Sequence, residues 1–266
     1  MDLQLLVLCG LTFVIHLIGT LAYSVRIAGV RTRRIAVSLA LFSMLALLSR
    51  TSNAFLGPYL GKRVEQHLTP GGASALFVDF QWLLLSATLA TIAGALLIPT
   101  FQRLFSRAVL HFQTHRSIPK LAMHAVFKGG IGYVRDAVRV PAAANIVSVR
   151  GHGISPGITM LNVVAVALLT TGVFAAYYAG ALDPAVRLTS SSLSGIINGV
   201  ATIAMALFID PHMSGMTDDV IDGRVSETQF RKAVVWLVGS RLAGTVLAQV
   251  LLLPAALLIA TVARVL

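Results

Sequence analysis

Two arginines of this sequence lie inside stretches that are long and apolar enough to cross a membrane. Arg50 lies within residues 35–59 and Arg241 within residues 233–262. At about 1.5 Å per helical residue, Arg50 would lie roughly 22 Å into the bilayer and Arg241 roughly 12 Å from one end of its span. A charge at such a depth costs at least about 2.5 kcal/mol. Because a guanidinium stays ionised and binds phosphate in a bidentate fork, these arginines could bind a phosphate-bearing substrate.

Neutral polar side chains accompany the arginines at helical spacing. His16 and Tyr23 share one predicted helix face, which also carries small residues and leads to Arg26. Asn53 follows Arg50, and Asn198 occurs on a small, polar face of a later span. These groups could donate to and accept from sugars or amides of a substrate. The candidate substrate-binding residues are therefore Arg50, Arg241, Arg26, Asn53, His16, Tyr23 and Asn198.

Three carboxylates are candidates for ion pairs or gates: Asp79, Asp210 and Asp218. Gly57 and Pro58 are predicted to end the helix that carries Arg50. Asp79 would then lie at a depth comparable with that of Arg50, so we expect these two to pair. Such a pair could be a structural clamp, or a gate that opens when an anion displaces the carboxylate.

One pattern suggests an enzyme. Asp218, Asp219 and Asp222 have the spacing DDxxD, which can hold Mg²⁺ against a pyrophosphate. Membrane prenyltransferases need two such motifs on facing helices, and this sequence has one. Solvation of a loop and helix capping therefore explain these carboxylates better than catalysis does.

Composition predicts an integral membrane protein. The chain is 56% hydrophobic and 12% charged, with a mean hydropathy of +0.83. We predict an all-α fold with six transmembrane helices in a single polytopic domain, residues 1–266. The predicted spans are 3–25, 35–59, 76–100, 158–179, 188–209 and 233–262.

The loops alternate between basic and nearly neutral. Those after spans one, three and five hold most of the Lys and Arg, so they are expected in the cytoplasm and both termini outside. Residues 101–157 mix apolar and basic residues, which indicates amphipathic helices on the inner leaflet in contact with anionic phospholipids. This pattern also explains the net charge of +11 without nucleic acid.

Other chemistry is not supported by the sequence. No nucleotide-binding loop, HExxH or serine–histidine–acid arrangement occurs, so we expect neither a metal site nor a cofactor. Cys9 stands alone within an apolar segment, which excludes an intrachain disulfide.

The motifs carrying these residues resemble the Amj family of bacterial lipid II flippases, alternates to MurJ. The resemblance extends over the whole chain, and its most specific parts are HLIGTLAYSVRIAGVRTRR (residues 16–34), the continuation to residue 53, NGVATIAMALFIDPHMSGMTDDV (198–220) and RVSETQFRKAVVW (224–236). It implies a multi-pass plasma-membrane protein that moves an undecaprenyl-pyrophosphate-linked peptidoglycan precursor to the outer leaflet, without a cofactor. Matching positions are His16, Thr20, Tyr23, Arg26, Arg31, Arg50, Asn53, Asn198, Asp210 and Asp218.

Two alternatives stay open at this stage: a Mg²⁺-dependent enzyme acting on a polyprenyl pyrophosphate, and a scaffold that recruits envelope-synthesis partners without transporting anything. Six helices are few to enclose a path for so large a headgroup. We therefore also expect a homodimer, with the path at or beside its interface.

Overall fold

A computed structural model describes residues 2–69, 71–115, 137–139 and 153–266 of the chain. All the long elements in these ranges are helices. They are α1 (Leu3–Thr32), α2 (Ile35–Gln66), α3 (Gly72–His115), α4 (Pro156–Leu182), α5 (Arg187–Ala204), α6 (Asp210–Ile221) and α7 (Glu227–Val265). A π-helical segment, Met205–Ile209, joins α5 to α6 without a break.

Six segments of the described chain are long and apolar enough to cross a membrane, as predicted. Five of them are α1, α2, most of α3, α4 and α7, and the remaining one is Pro184–Ile221. The prediction that Gly57 and Pro58 end the second helix was wrong, because α2 runs through both residues to Gln66. After α5 the chain stays helical through the π segment and into α6, past Asp210 and Pro211.

Local interactions explain how the helices begin and turn. Asp2 caps α1 by accepting a hydrogen bond from the backbone N–H of Leu5 at 2.8 Å. Ser226 caps α7 by accepting from the backbone N–H of Gln229 at 3.2 Å. α1 ends at Arg33, whose φ of 52° reverses the chain directly into α2.

The helices form two groups with the same packing order. In each group the first span packs against the other two: α1 against α2 and α3, and α4 against α5 and α7. The third spans, α3 and α7, then join the groups, and the Gln249 side chain donates to Thr88 across this junction. Three spans per group with this shared order fit the inverted repeat that six alternating spans allow.

Glycines occupy equivalent places in the two groups. A Cβ at Gly94 of α3 would lie 2.7 Å from the Thr20 Cβ on α1, and a Cβ at Gly244 of α7 would lie 2.7 Å from the Val163 carbonyl oxygen on α4. Only glycine permits this backbone approach, which is how transmembrane helices gain van der Waals contact without a hydrophobic driving force.

The remaining helices, α2 and α5, lie at the flanks. Each packs mainly against the first span of its own group and is the least buried span of that group. We call the end of the bundle that holds the α1–α2 turn and the start of α7 the basic end, and the other the opposite end. A hydrophobic cluster that includes Tyr23, Ile209, Met213 and Phe230 packs α1, α4, α6 and α7 together at the basic end.

The first part of the predicted amphipathic region is a continuation of α3. Phe105 and Val109 are buried against Val25 and Leu41 of the α1–α2 hairpin. Most of the rest of this region, residues 116–136 and 140–152, lies outside the described residues, so its interfacial helices stay a prediction.

Candidate functional site

The polar stripe of α1 is buried. Thr12, His16, Tyr23 and Arg26 follow one another along a single face, and the first three are at most 9% exposed. The Thr12 hydroxyl and the His16 Nδ1 are buried without a hydrogen-bond partner among the described residues. Unsatisfied polar atoms are rare in folded proteins, and here they lie on the face that the sequence singled out.

Arg241 of α7 reaches this stripe at Gly19. A Cβ at position 19 would lie 2.4 Å from Nη2 of Arg241, so the guanidinium fills the space that glycine leaves. Arg241 lies about 21 Å along α7 from its first residue, Glu227. His16 and Tyr23 lie about one turn before and one turn after Gly19 on the same face of α1.

No carboxylate pairs with Arg241 in the described part of the chain, and its Nε is buried without a hydrogen-bond partner there. A buried guanidinium normally has a carboxylate partner, because desolvation of an unpaired charge is unfavourable by several kcal/mol. This arrangement suits an anion that binds temporarily.

Arg26 closes the stripe at the basic end. Its guanidinium donates to Asp210 of α6 at 2.9 Å and to Ser214 at 3.5 Å. The pair is partly accessible, with 22% of the Arg26 side chain and 60% of the Asp210 side chain exposed. Asp210 therefore lies in an ion pair, and this pair joins α1 to the helix that follows the π segment.

The predicted pair between Arg50 and Asp79 is wrong. Asp79 instead accepts from Arg63, with Arg63 Nη2 at 2.7 Å, and Arg63 also pairs with Asp2. The reason is the unbroken helix: because Pro58 does not end α2, Arg63 continues on it and faces the start of α3. Arg63 is 7% exposed and links α2 to α1 and α3.

Arg50 and Asn53 lie on the exposed side of α2. Arg50 has no hydrogen-bond or ion-pair partner within the described ranges. It shares its stripe with Gly57 and Gly61, since seven and eleven residues are nearly whole turns of a helix. Gly57 and Gly61 both line a cavity of about 650 Å³.

This cavity, the lateral cavity, lies at the opposite end between α2, α4 and α5. Its lining comprises Gly57, Pro58, Gly61, Lys62, Val64, Glu65, Tyr177, Arg187, Leu188 and Ser191. Tyr177 forms the α4 side, and a Cβ at Gly57 would lie 3.4 Å from its hydroxyl. This site is hard to predict from sequence, because its two cations, Lys62 and Arg187, are near predicted loops and resemble solvated charges.

Asn198 of α5 lies against α4. A Cβ at Gly172 would lie 3.0 Å from its Oδ1, and this oxygen is buried without a partner among the described residues. Asn162 of α4, which the sequence analysis missed, is fully buried and donates to Ser240 at 2.7 Å, beside Arg241. In the sequence, the only indication that Asn162 could be functional was that it is a single amide within an apolar run.

The DDxxD carboxylates are held by an arginine. Arg224 lies 3.2 Å from Asp219 and 2.5 Å from Asp222, across the turn between α6 and α7. These ion pairs raise the pKa of Arg224, chiefly through the hydrogen bond to Asp222. Asp218 is exposed near the end of α6. The three residues thus close a turn, and no cluster of metal-ligating side chains was found in the described ranges.

Comparisons with known proteins agree with the features above. The chain is 35% identical over 261 residues to a Bacillus subtilis (strain 168) protein named "Lipid II flippase Amj", covering 97% of this chain and 96% of that protein. No solved structure matches it. The family model described as "Amj: Alternate to MurJ" matches residues 11–263, and the chain therefore belongs to the Amj family.

Proposed function

We propose that this protein is a lipid II flippase of the plasma membrane, which moves undecaprenyl-pyrophosphate-linked peptidoglycan precursor from the cytoplasmic to the outer leaflet. The proposal rests chiefly on Arg241 of α7. Its guanidinium lies against Gly19, half-way along α1, and has no carboxylate partner in the described chain. A diphosphate supplies the paired oxygens that such a guanidinium binds. The name of the Bacillus subtilis relative, a lipid II flippase, supports the same transport function rather than an enzymatic one.

The headgroup crosses along the polar faces of α1, α2 and α5. The α1 stripe provides His16 and Tyr23 beside Arg241, and Asn198 lies on α5. α2 and α5 do not pack closely against each other, so the groove between them is open towards lipid. This opening lets the polyprenyl tail stay in hydrocarbon while the headgroup passes polar side chains.

Arg50 and Asn53 act on the α2 side of this groove. An exposed arginine half-way along a membrane helix needs an anionic partner, since hydrocarbon alone disfavours its charge. Arg50 lies about 10 Å along α2 from Gly57, on the same stripe and nearer the basic end. The passing diphosphate is the partner that we assign to it, between Arg241 and the lateral cavity.

The basic end faces the cytoplasm, with both termini outside. The arginines of the α1–α2 turn and those that follow α3 favour this orientation. The Arg26–Asp210 pair then closes the path on the cytoplasmic side, and an arriving diphosphate opens it by competing for Arg26. The π segment and Pro211 precede and follow Asp210, and such irregular helix geometry is frequent at functional positions.

Two further contacts belong to this proposal. Anionic phospholipids bind the basic residues of the segment 101–157. A second copy of the chain completes the wall of the path beside α2, as a homodimer.

The test is growth of a strain depleted of its other lipid II flippases, together with lipid II translocation in proteoliposomes. Arg241→Gln removes the charge and is expected to abolish both, whereas Arg241→Lys retains part of the activity. Arg231→Gln is the matched control, because Arg231 is on the same helix but pairs with Glu227 at an exposed site. Normal translocation by folded Arg241→Gln protein would refute the proposed role.

A further inference from the structure

The lateral cavity combines a size and a position that suit a lipid headgroup. It lies at the opposite end of the bundle, between the two flanking helices, with α4 behind it. Gly57 and Gly61 leave space on its α2 side facing Tyr177, which supplies a hydroxyl from α4. Pro58 and Leu188 add apolar surface where a tail would leave the cavity.

Its charges favour an anion. Lys62 from α2 and Arg187 from α5 line the cavity from two different helices, and Arg187 has no ion-pair partner in the part of the chain that the structure describes. Lys62 has one carboxylate nearby, Glu65 at 3.9 Å. That long, exposed pair is weak, so Lys62 can exchange Glu65 for a phosphate oxygen.

We propose that the lateral cavity is a binding site for the phosphate-bearing headgroup of a lipid, and that its ligand is the diphosphate of the transported lipid after it has passed Arg50. Lys62 and Arg187 bind the phosphates from opposite walls, and Tyr177 and Ser191 supply hydroxyl groups. The inference rests on the proposed function for the identity of the lipid. Its geometric basis is independent of Arg241.

The stripe of α2 connects the site to the rest of the path. Arg50, Gly57 and Gly61 lie on one line of the helix surface, so an anion leaving Arg50 along α2 arrives between Lys62 and Arg187. Cations at successive positions let a diphosphate be transferred without an unpaired intermediate in hydrocarbon.

Equilibrium binding to the purified full-length chain in detergent micelles, counted by native mass spectrometry, tests this site. All samples carry Arg241→Gln, so that the central arginine does not contribute. Undecaprenyl diphosphate is the probe, and phosphatidylglycerol is the competing phosphate lipid. We expect Lys62→Gln with Arg187→Gln to weaken undecaprenyl diphosphate binding at least about tenfold, the effect of losing one charged hydrogen bond.

Two other variants test the effect of the neighbouring carboxylate and the effect of filling the cavity. Glu65→Gln removes the competing carboxylate and should strengthen binding about two- to fivefold, the weight of an exposed ion pair. Gly61→Leu fills the cavity without changing charge and should weaken binding, while Gly61→Ala fits because its Cβ would lie 3.6 Å from the Tyr177 ring. Arg264→Gln is the control for net charge, since Arg264 lies at the same end but pairs with Asp183 outside the lining.

The outcomes separate this site from the proposed function. Unchanged diphosphate binding in the Lys62/Arg187 double variant overturns the site, even if wild-type protein translocates lipid II. Binding of phosphatidylglycerol as tight as that of the diphosphate, and equally lost in the double variant, overturns the assignment to the transported lipid in favour of bulk phospholipid. Diphosphate binding that depends on Lys62 and Arg187, together with wild-type protein that translocates no lipid II, leaves the site standing and refutes the flippase.

Discussion

Two arginines of this bundle, Arg63 buried and Arg241 partly buried with its Nε removed from solvent, have opposite electrostatic surroundings. Arg63 lies between two carboxylates, Asp79 at 2.7 Å and Asp2 on the preceding helix. Arg241 lies against Gly19 and has no carboxylate partner among the described residues. Both guanidiniums are largely removed from water, and among the described residues only that of Arg63 is compensated by carboxylates.

The difference separates a structural charge from one that is available for a ligand. Arg63 holds the ends of α1, α2 and α3 together, and it does so outside the polar stripe. Arg241 joins His16 and Tyr23 on that stripe, where an unpaired cation destabilises the empty protein and gains a partner when an anion arrives.

Removal of Arg63 should have the largest effect on stability. Arg63→Met leaves the partly buried Asp79 without its cation, and breaking a buried pair from one side destabilises proteins by about 3–5 kcal/mol. Denaturant unfolding in detergent micelles measures this loss. Arg231→Met, which breaks an exposed pair, should cost less than about 1 kcal/mol. Equal losses in the two variants would mean that Arg63 does not hold the helices together.

Removal of Arg241 should have the opposite effect, with stability retained and translocation lost. Arg241→Met eliminates a desolvated charge, so the free energy of unfolding should stay the same or increase, by up to about 4 kcal/mol. Lipid II translocation should fall at least about tenfold, because charged hydrogen bonds of about 1.5–3 kcal/mol are lost. A strongly destabilised Arg241→Met protein would contradict the contrast with Arg63 and give Arg241 a structural role.

Arg26 should be intermediate, because its pair with Asp210 is partly exposed. Asp210→Asn should change stability by less than about 1 kcal/mol but should alter the translocation rate several-fold, since the pair closes the basic end. The charge exchange Arg26→Asp with Asp210→Arg should restore the rate towards that of the wild type. An unchanged translocation rate in Asp210→Asn would show that the Arg26–Asp210 pair does not act as a gate.

Composition and periodicity were sufficient for much of the fold. Six apolar stretches predicted the six spans, and the spacing of His16 and Tyr23 predicted one shared face of α1. These features depend on residues within a few turns of one another. A single sequence carries that local information completely.

The errors came from one local signal that tertiary packing overrides. Pro58 was expected to end α2, and a proline in a membrane helix is tolerated where neighbouring groups replace the lost hydrogen bond. The unbroken helix moved Arg63, rather than Arg50, opposite Asp79. Pro211 follows the same rule in α6.

The candidate site was harder to foresee than the spans. That Arg241 meets Gly19 depends on how α7 packs near α1, and helical spacing within either segment does not contain this relation. Lys62 and Arg187 are 125 positions apart in the chain and share a cavity only because both lie near α4. Spatial relations between helices determine the site, whereas composition determines the helices.

The smallest expected effect concerns Asp2, the exposed partner of Arg63. The hydrogen bond from Arg63, with a second one from the Leu5 backbone, lowers the pKa of Asp2 below its usual 3.8. Because the folded pKa is the lower one, the unfolded chain takes up the proton first as the pH falls. The stabilisation is therefore complete well above pH 3.8 and is lost as the pH falls through the lowered value.

Asp2→Asn keeps a helix-capping side chain but removes the charge, so it should flatten this acid limb of the stability curve and leave stability near pH 7 only slightly lower. Unfolding of both proteins in detergent between pH 7 and pH 3 measures the difference. If the two acid limbs coincide, Asp2 contributes no charge to the cluster and Asp79 alone compensates Arg63. The contrast with Arg241 would then be a contrast between one carboxylate and none, and the predicted gap in stability between Arg63→Met and Arg241→Met should narrow accordingly.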